Sequence, residues 1–175
     1  EKDYLEVTKK LTGHEFSNAL AALKVGDGVE IDGPEGEFTF EGEYPKIALI
    51  SGGIGVTPHR SMIRYSTDKG LNTLITLLYS NSSEGDIVFR DELENMSRQN
   101  KNLRVLYTVT QPTEEWTGLR GRINAEMIKS AIPDYMERVT YVSGPPKMVD
   151  DLQNTLRKDL KIPRRQIKIE YFPGY

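Results

Sequence analysis

The chain has 175 residues, 23 basic and 26 acidic side chains, a formal net charge of −3 and no cysteine. That length buries a core as one domain, or one domain with an attached fragment, without covalent staples. The charge balance excludes a general nucleic-acid or membrane-surface binder, and the absence of cysteine excludes disulfides and cysteine-based metal or thiol chemistry.

His14 and His59, the two histidines, have no metal-ligand spacing; both read as surface residues, and no metal site is expected. No apolar run approaches the ~20 residues that span a bilayer, so the default reading is a soluble, cytoplasmic protein with no membrane insertion. The chain opens EKDYLEVTKKL, without methionine and almost at once in an alternating pattern, which points to a processed or truncated product.

In chain order, YLEVTKKL (4 to 11) alternates well enough for a half-buried strand, and Ser17 precedes the helix-like NALAAL as an N-cap. VGDGVEIDGPEGEFTF (25 to 40) has the glycine punctuation of small antiparallel β structure. From Tyr44-Pro45 onward the rhythm changes. The runs IALIS (47 to 51), TLITLLYS (73 to 80), LRVLYTVT (103 to 110), VTYVS (139 to 143) and IKIEYF (167 to 172) alternate with helical patterns. That alternation predicts a doubly wound, five-stranded parallel sheet of α/β class.

The helices carry readable ends. Thr57 and Pro58 read as the cap and first residue of a helix over 58 to 68, with Gly70 just past its end. Phe89, Leu93 and Met96 make one stripe of a helix over 88 to 99. Pro145 and Pro146 start the last long helix, whose Met148, Leu152, Leu156 and Leu160 recur every four residues as a core stripe.

SGGIGVTPHR (51 to 60) follows the first apolar run directly. It is not a P-loop, because Val-Thr-Pro follows Gly55 where a lysine and a hydroxyl residue are needed. It meets the dinucleotide fingerprint at Gly53 and Gly55 but has Pro58 in place of the third glycine. A glycine turn that opens a helix at the carboxyl end of a parallel strand presents N–H groups to an anion; the alternative is a structural turn alone. VSGPPKM (142 to 148) repeats the arrangement, and in a doubly wound sheet its strand lies beside the first, so that Ser143-Gly144 and Gly52 to Thr57 face one crevice.

GGIGVTP, YSNSSEGDIVFRDEL, YTVTQPTEEWTGLRGRINAEMI and YVSGPPKMVDDL, in that order, resemble the pyridine-nucleotide domain of the ferredoxin-NADP reductase superfamily. LTGHEFSNALAALKVGDGVEIDGPEGEFTF resembles the end of that family's flavin-binding barrel. The resemblance divides the chain into residues 1 to 43, the C-terminal part of an antiparallel barrel, and residues 44 to 175, the nucleotide domain. It implies an oxidoreductase that passes a hydride between NADH or NADPH and FAD or FMN, and hands electrons to an acceptor protein or a small acceptor.

By motif, Gly52, Gly53, Gly55, Thr57 and Pro58 line the pyrophosphate and nicotinamide-ribose site, and Ser143, Gly144 and Pro145 border the nicotinamide. Thr57 and Ser143 are the catalytic candidates, although no side chain is expected to act as general acid or base. Ser80 and Asn81, with Ser82, meet a ribose or phosphate, Ser17 meets the flavin phosphate, and Phe172 and Tyr175 are candidates for an aromatic contact, the alternative being a packed or frayed terminus. Trp116 reads as a loop anchor, and Arg120 and Arg122 as a solvated patch or a neighbour of the adenosine.

Three departures stand out. The family's Arg-x-Tyr-Ser/Thr strand is absent, so the flavin site is expected to be incomplete and the chain to purify with little flavin. Ser143 replaces a cysteine. Thr110 stands where some NADH-specific relatives carry aspartate, which leaves the coenzyme open. The alternative reading is a non-catalytic nucleotide-binding or docking subunit of a redox complex.

Overall fold

The computed structural model describes residues 4–33 and 35–173. Six strands form one all-parallel sheet: β1 (Lys46–Gly52), β2 (Leu74–Asn81), β3 (Leu103–Val109), β4 (Leu119–Arg120), β5 (Val139–Gly144) and β6 (Ile167–Tyr171), in the order β4-β3-β2-β1-β5-β6. Five are the expected runs. The sixth, β4, has two residues that pair with Thr108 and Val109, too short to leave a pattern in sequence.

The sheet is covered on both faces because its strands are apolar at successive positions. Ile47, Leu49, Ile75, Leu77 and Tyr79 point to one side, where they meet Val56, Met62 and Ile63 of α2 (Val56–Asp68) and Leu93 and Met96 of α3 (Arg90–Gln99). Ala48, Ile50, Leu78 and Val142 point to the other, against Ile128 of α4 (Ala125–Ala131) and Val149 and Leu152 of α5 (Pro146–Asn154). A helical extension over Thr155–Asp159 carries the α5 stripe on to Leu156 and Leu160, both buried, while Met148 packs partly buried at its start. Each fully buried aliphatic side chain contributes about 1.5–3 kcal/mol relative to exposure.

Helix ends differ in detail from expectation. α2 begins at Val56, one turn of 3₁₀ helix (Gly53–Gly55) precedes it, and Gly55 is its N-cap. Thr57 therefore caps nothing, and Pro58 is the third helical residue rather than the first; its missing N–H still falls among the first-turn donors that have no partner in a helix. Gly70 follows the C-cap with φ +61°, as the αL stop requires.

The N-terminal part departs further. α1 (Glu15–Ala22) begins two residues before Ser17 with His14 at its N-cap, so Ser17 is not the cap. No strand is formed among the described residues 4–33 and 35–45, and the expected antiparallel pairing is not seen. Tyr4, Leu5, Val7, Leu11, Val29 and Ile31 are exposed. Alternation makes a strand only when a neighbour supplies the ladder, and none lies alongside. The segment docks on the sheet through Phe38 and Phe40, which join the core under α2, and through the Tyr141 hydroxyl, which donates to Thr39 O at 2.8 Å.

Candidate functional site

The chain winds outward from β1 through β2 and β3, then returns to β5 on the opposite side of β1. Above β1 the following connections diverge, opening a crevice at the carboxyl ends of the strands, the place where such sheets bind ligands. The two glycine turns meet there. A Cβ on Gly55 would lie 2.6 Å from Gly144 Cα and 2.7 Å from Ser143 O, and one on Gly52 would lie 2.3 Å from Met148 Sδ. Only glycine at position 55 lets the two backbones touch.

Side chains of the flanking strands hold the turn's carbonyls down. The Tyr79 hydroxyl donates to Gly53 O at 2.9 Å, and the Ser143 hydroxyl donates to Gly55 O at 2.6 Å. Burial pushes the Tyr79 hydroxyl's pKa up, so it stays a neutral donor. In a trans peptide the N–H opposes the C=O. With Gly53 O turned inward to Tyr79, the Ile54 N–H is directed the other way, and Ile54 itself lines the cleft.

That cleft has a volume of about 800 Å³ and is lined by Gly52, Gly53 and Ile54, by Ser80, Asn81 and Ser82 after β2, by Thr110 and Arg122 beyond β3, and by Pro145, Lys147 and Met148 after β5. Lys9, Lys10, Lys147 and Arg122 outnumber the lining carboxylates Asp86 and Asp151, so a chain of net negative charge offers a cationic cleft here. Asp86 is occupied: it accepts from the Ser83 N–H at 3.0 Å and from the Ser83 hydroxyl at 2.8 Å, which hold its pKa down. Asn81 is buried, yet neither its amide nitrogen nor its oxygen has a hydrogen-bond partner of acceptable geometry, although the Tyr79 hydroxyl lies close by.

Of the residues expected at the site, Gly52, Gly53, Ser80, Asn81 and Pro145 line this cleft. Gly55 and Gly144 lie beneath it and set its floor. Thr57 does not reach it; it lines a smaller cavity of about 100 Å³ with Glu6, Thr8, Arg60, Ser61 and Arg64. Ser143 is fully buried with its proton committed to Gly55. Phe172 sits past the end of β6, where its N–H donates to Gly144 O at 2.9 Å, outside the cleft lining. Ser17 is buried in α1, and its Oγ accepts the Thr12 N–H at 2.9 Å. Tyr175 lies outside the described residues.

His59 overturns its expected place on the surface. It is fully buried on the α2 face that also carries Val56, Met62, Ile63 and Ser66, and burial lowers its pKa to about 3. Trp116 anchors its loop as expected: it is buried and its indole N–H donates to Leu119 O at 2.7 Å. Arg120 clamps the same loop through Trp116 O at 2.7 Å. Met148 and Lys147 are cleft residues that periodicity assigned to a core stripe or left out. Their signal was position, since they fall in the first turn after the second glycine corner.

The oxidoreductase NAD-binding domain family model matches residues 49–154, the stretch that builds both glycine corners. The chain belongs to this family, within the ferredoxin-NADP reductase superfamily. NADH-cytochrome b5 reductase 1 of Aspergillus terreus (strain NIH 2624 / FGSC A1156) is 34% identical over 146 residues, which cover 79% of this chain and 49% of the relative. NADH-cytochrome b5 reductase 2 of Danio rerio is 31% identical over 171 residues, covering 85% and 55%. The cytochrome b5 reductase domain of Ulva prolifera nitrate reductase superposes with a TM-score of 0.80 at 30% identity, over 90% of this chain and 66% of that one. The chain spans about half the length of the curated relatives it matches.

The residues of this NAD-binding domain fit a dinucleotide. The cleft is roomy and cationic, Gly53 lines it with a φ of +53° that favours glycine, and Asn81 brings an unpartnered amide. Among the described residues no group of three or more His, Asp or Glu could hold a metal, and no helix is long and apolar enough to cross a membrane.

Proposed function

We propose that this chain carries the nicotinamide half of a flavin-dependent oxidoreductase: residues 44 to 175 bind NADH or NADPH, and residues 1 to 43 are the end of a flavin-binding domain. The observation that carries the reading is the approach of the two glycine corners over β1, with their carbonyls drawn inward and a cationic cleft above. Gly52, Gly53 and the Ile54 N–H, with Lys147 nearby, would hold a pyrophosphate, and the unpartnered Asn81 amide, with Ser80, would take a ribose hydroxyl. Pro145 and Gly144 border the ring end. A bound flavin would supply the redox chemistry between the coenzyme and an acceptor protein or a small acceptor.

The protein's own contribution is placement and exclusion of water. Ser143 is a support for the turn and donates nothing to the ring. Thr57, in the small cavity with Thr8, Arg60 and Arg64, faces the N-terminal segment, as a residue near the flavin side of the joint does. Ser17 offers a hydroxyl proton to the flavin phosphate. The superposition on the Ulva prolifera domain covers 90% of the chain, a share that residues 44 to 175 alone do not reach, and this supports the assignment of residues 1 to 43.

Calorimetric titration with NADH and with NADPH, with and without excess FAD, tests the reading. Binding of at least one coenzyme in the micromolar to sub-millimolar range, and bleaching of added FAD under anaerobic conditions, are expected. No binding at millimolar coenzyme overturns it, and binding with no flavin reduction leaves a nucleotide-binding subunit instead.

A further inference from the structure

The Ser143 hydroxyl has one proton, and the 2.6 Å contact with Gly55 O uses it. Its contact with His59 Nε2 at 3.2 Å must then be accepted by the hydroxyl oxygen. That fixes the imidazole: its proton is on Nε2, and Nδ1 is a bare acceptor. Nδ1 is indeed buried without a partner. The ring is held by packing, with Phe38 5.8 Å away between centroids and Tyr141 edge-on to Phe38 at 5.3 Å.

The relay runs from α2, through His59 and Ser143 of β5, back to the turn that opens α2. It spans the seam where Gly55 and Gly144 touch. Without the imidazole donor, the buried Ser143 oxygen loses the partner that fixes its position on the α2 side. The corner after β1 then loses the support behind its side-chain bond to β5, and with it a tie that holds Gly55 against Gly144. A side chain with no access to the ligand thereby controls the surface that meets it.

We propose that His59 is a positioning residue of the dinucleotide site, holding the Ser143 hydroxyl on Gly55 O so that the two glycine corners keep the register that forms the cleft floor. This rests on the proposed function, and the test separates the two. Nitrogen-15 NMR of the imidazole in the coenzyme-free chain is expected to show a neutral Nε2–H tautomer that persists to pH 5. In His59→Leu, affinity for whichever coenzyme binds falls about tenfold or more, the scale of leaving one buried polar group unsatisfied. His59→Gln, which retains a donor near Nε2, recovers to within about threefold of wild type. In the double variant His59→Leu/Ser143→Ala the loss is smaller than the product of the two single losses, because both partners are removed together.

A wild-type Nδ1–H tautomer, or His59→Leu with a lowered melting temperature but unchanged affinity, overturns the proposal. So does a strictly multiplicative double variant. If His59→Leu fails to fold, the Gln and Ser143→Ala variants carry the same comparison. If the wild type binds neither coenzyme, the functional reading has failed, and the tautomer alone decides whether the relay exists.

Discussion

Residues 4–33 and the sheet that begins at Lys46 use the same vocabulary of apolar and β-branched residues, with opposite results. In the first stretch Ser17 is the only buried residue, and Leu5 is 80% exposed. In β1, Ile47, Leu49 and Ile50 are 0% exposed. The difference is one of neighbours. β1 has β2 on one side and β5 on the other, each paired through at least five residues in register, so its backbone groups and both faces are satisfied. The N-terminal stretch has apolar side chains but no strand beside it; apolar packing onto the sheet comes only after it, where Phe38 and Phe40 join the core.

The largest expected contrast lies in truncation of one leucine from each region. Leu49→Ala opens a cavity between the sheet and α2, and is expected to cost 2–5 kcal/mol, of order the cost of other buried leucines. Leu5→Ala is expected to stay within about 0.5 kcal/mol. Urea midpoints at constant m-value measure both. Equal losses would mean that the N-terminal stretch is packed as tightly as β1, and the contrast would be lost.

Glycines sharpen the same comparison at the site. Gly55→Ala drives a methyl into the backbone of Gly144, and a loss of about 1–3 kcal/mol is expected from overpacking, together with at least tenfold weaker coenzyme binding as the corners separate. Gly28→Ala has nothing within 4 Å of the new methyl and is expected to leave both quantities within error. Intact coenzyme affinity in Gly55→Ala would show that contact between the corners is dispensable.

The legible and illegible parts follow from this. IALIS, TLITLLYS and VTYVS were readable because strands buried on both faces carry apolar and β-branched residues on both alternating sets of positions, and the order of helices and strands then left one crevice. β4 was unreadable because Leu119–Arg120 holds its place through the Trp116 loop rather than through a pattern of its own. His59 was misread because a lone polar residue was judged by type. Its spacing from Val56, Ile63 and Ser66 placed it on the buried face of α2, a signal that was present. The fate of YLEVTKKL depended on a strand elsewhere, which no local pattern reports. Ser143 could be placed beside the first turn, but the commitment of its proton to Gly55 is a matter of ångströms.

The buried histidine gives a smaller effect with its own pH window. Its folded pKa, lowered to about 3 by burial, lies below the ordinary value of about 6.5, so between these values the unfolded chain binds the extra proton. Stability is then full above about pH 6.5 and falls with decreasing pH, by up to about 1.4 kcal/mol per unit. Carboxylates with lowered pKa, such as Asp134 beside Arg138 and Glu92, where burial opposes but Arg60 and Arg64 prevail, take effect only below about pH 4.5. The interval from pH 6.5 to 5 therefore belongs to His59. Urea unfolding at pH 7 and pH 5 is expected to show the loss in wild type and not in His59→Leu; the same slope in both would place the acid sensitivity elsewhere.

Ser17 carries the smallest effect and the most direct question about the N-terminal region. Its oxygen accepts the Thr12 N–H, but a hydroxyl also has a proton to give, and no acceptor within the described residues takes it among the bonds the structure shows. Ser17→Ala is expected to lower stability by no more than about 1 kcal/mol, the net value of one ordinary hydrogen bond. If that proton serves the flavin phosphate, affinity for added FAD falls about three- to tenfold while coenzyme affinity is unchanged. If FAD affinity also stays the same, Ser17 ties residues 12 to 17 together and does nothing more, and residues 1 to 43 would need another group to meet the phosphate.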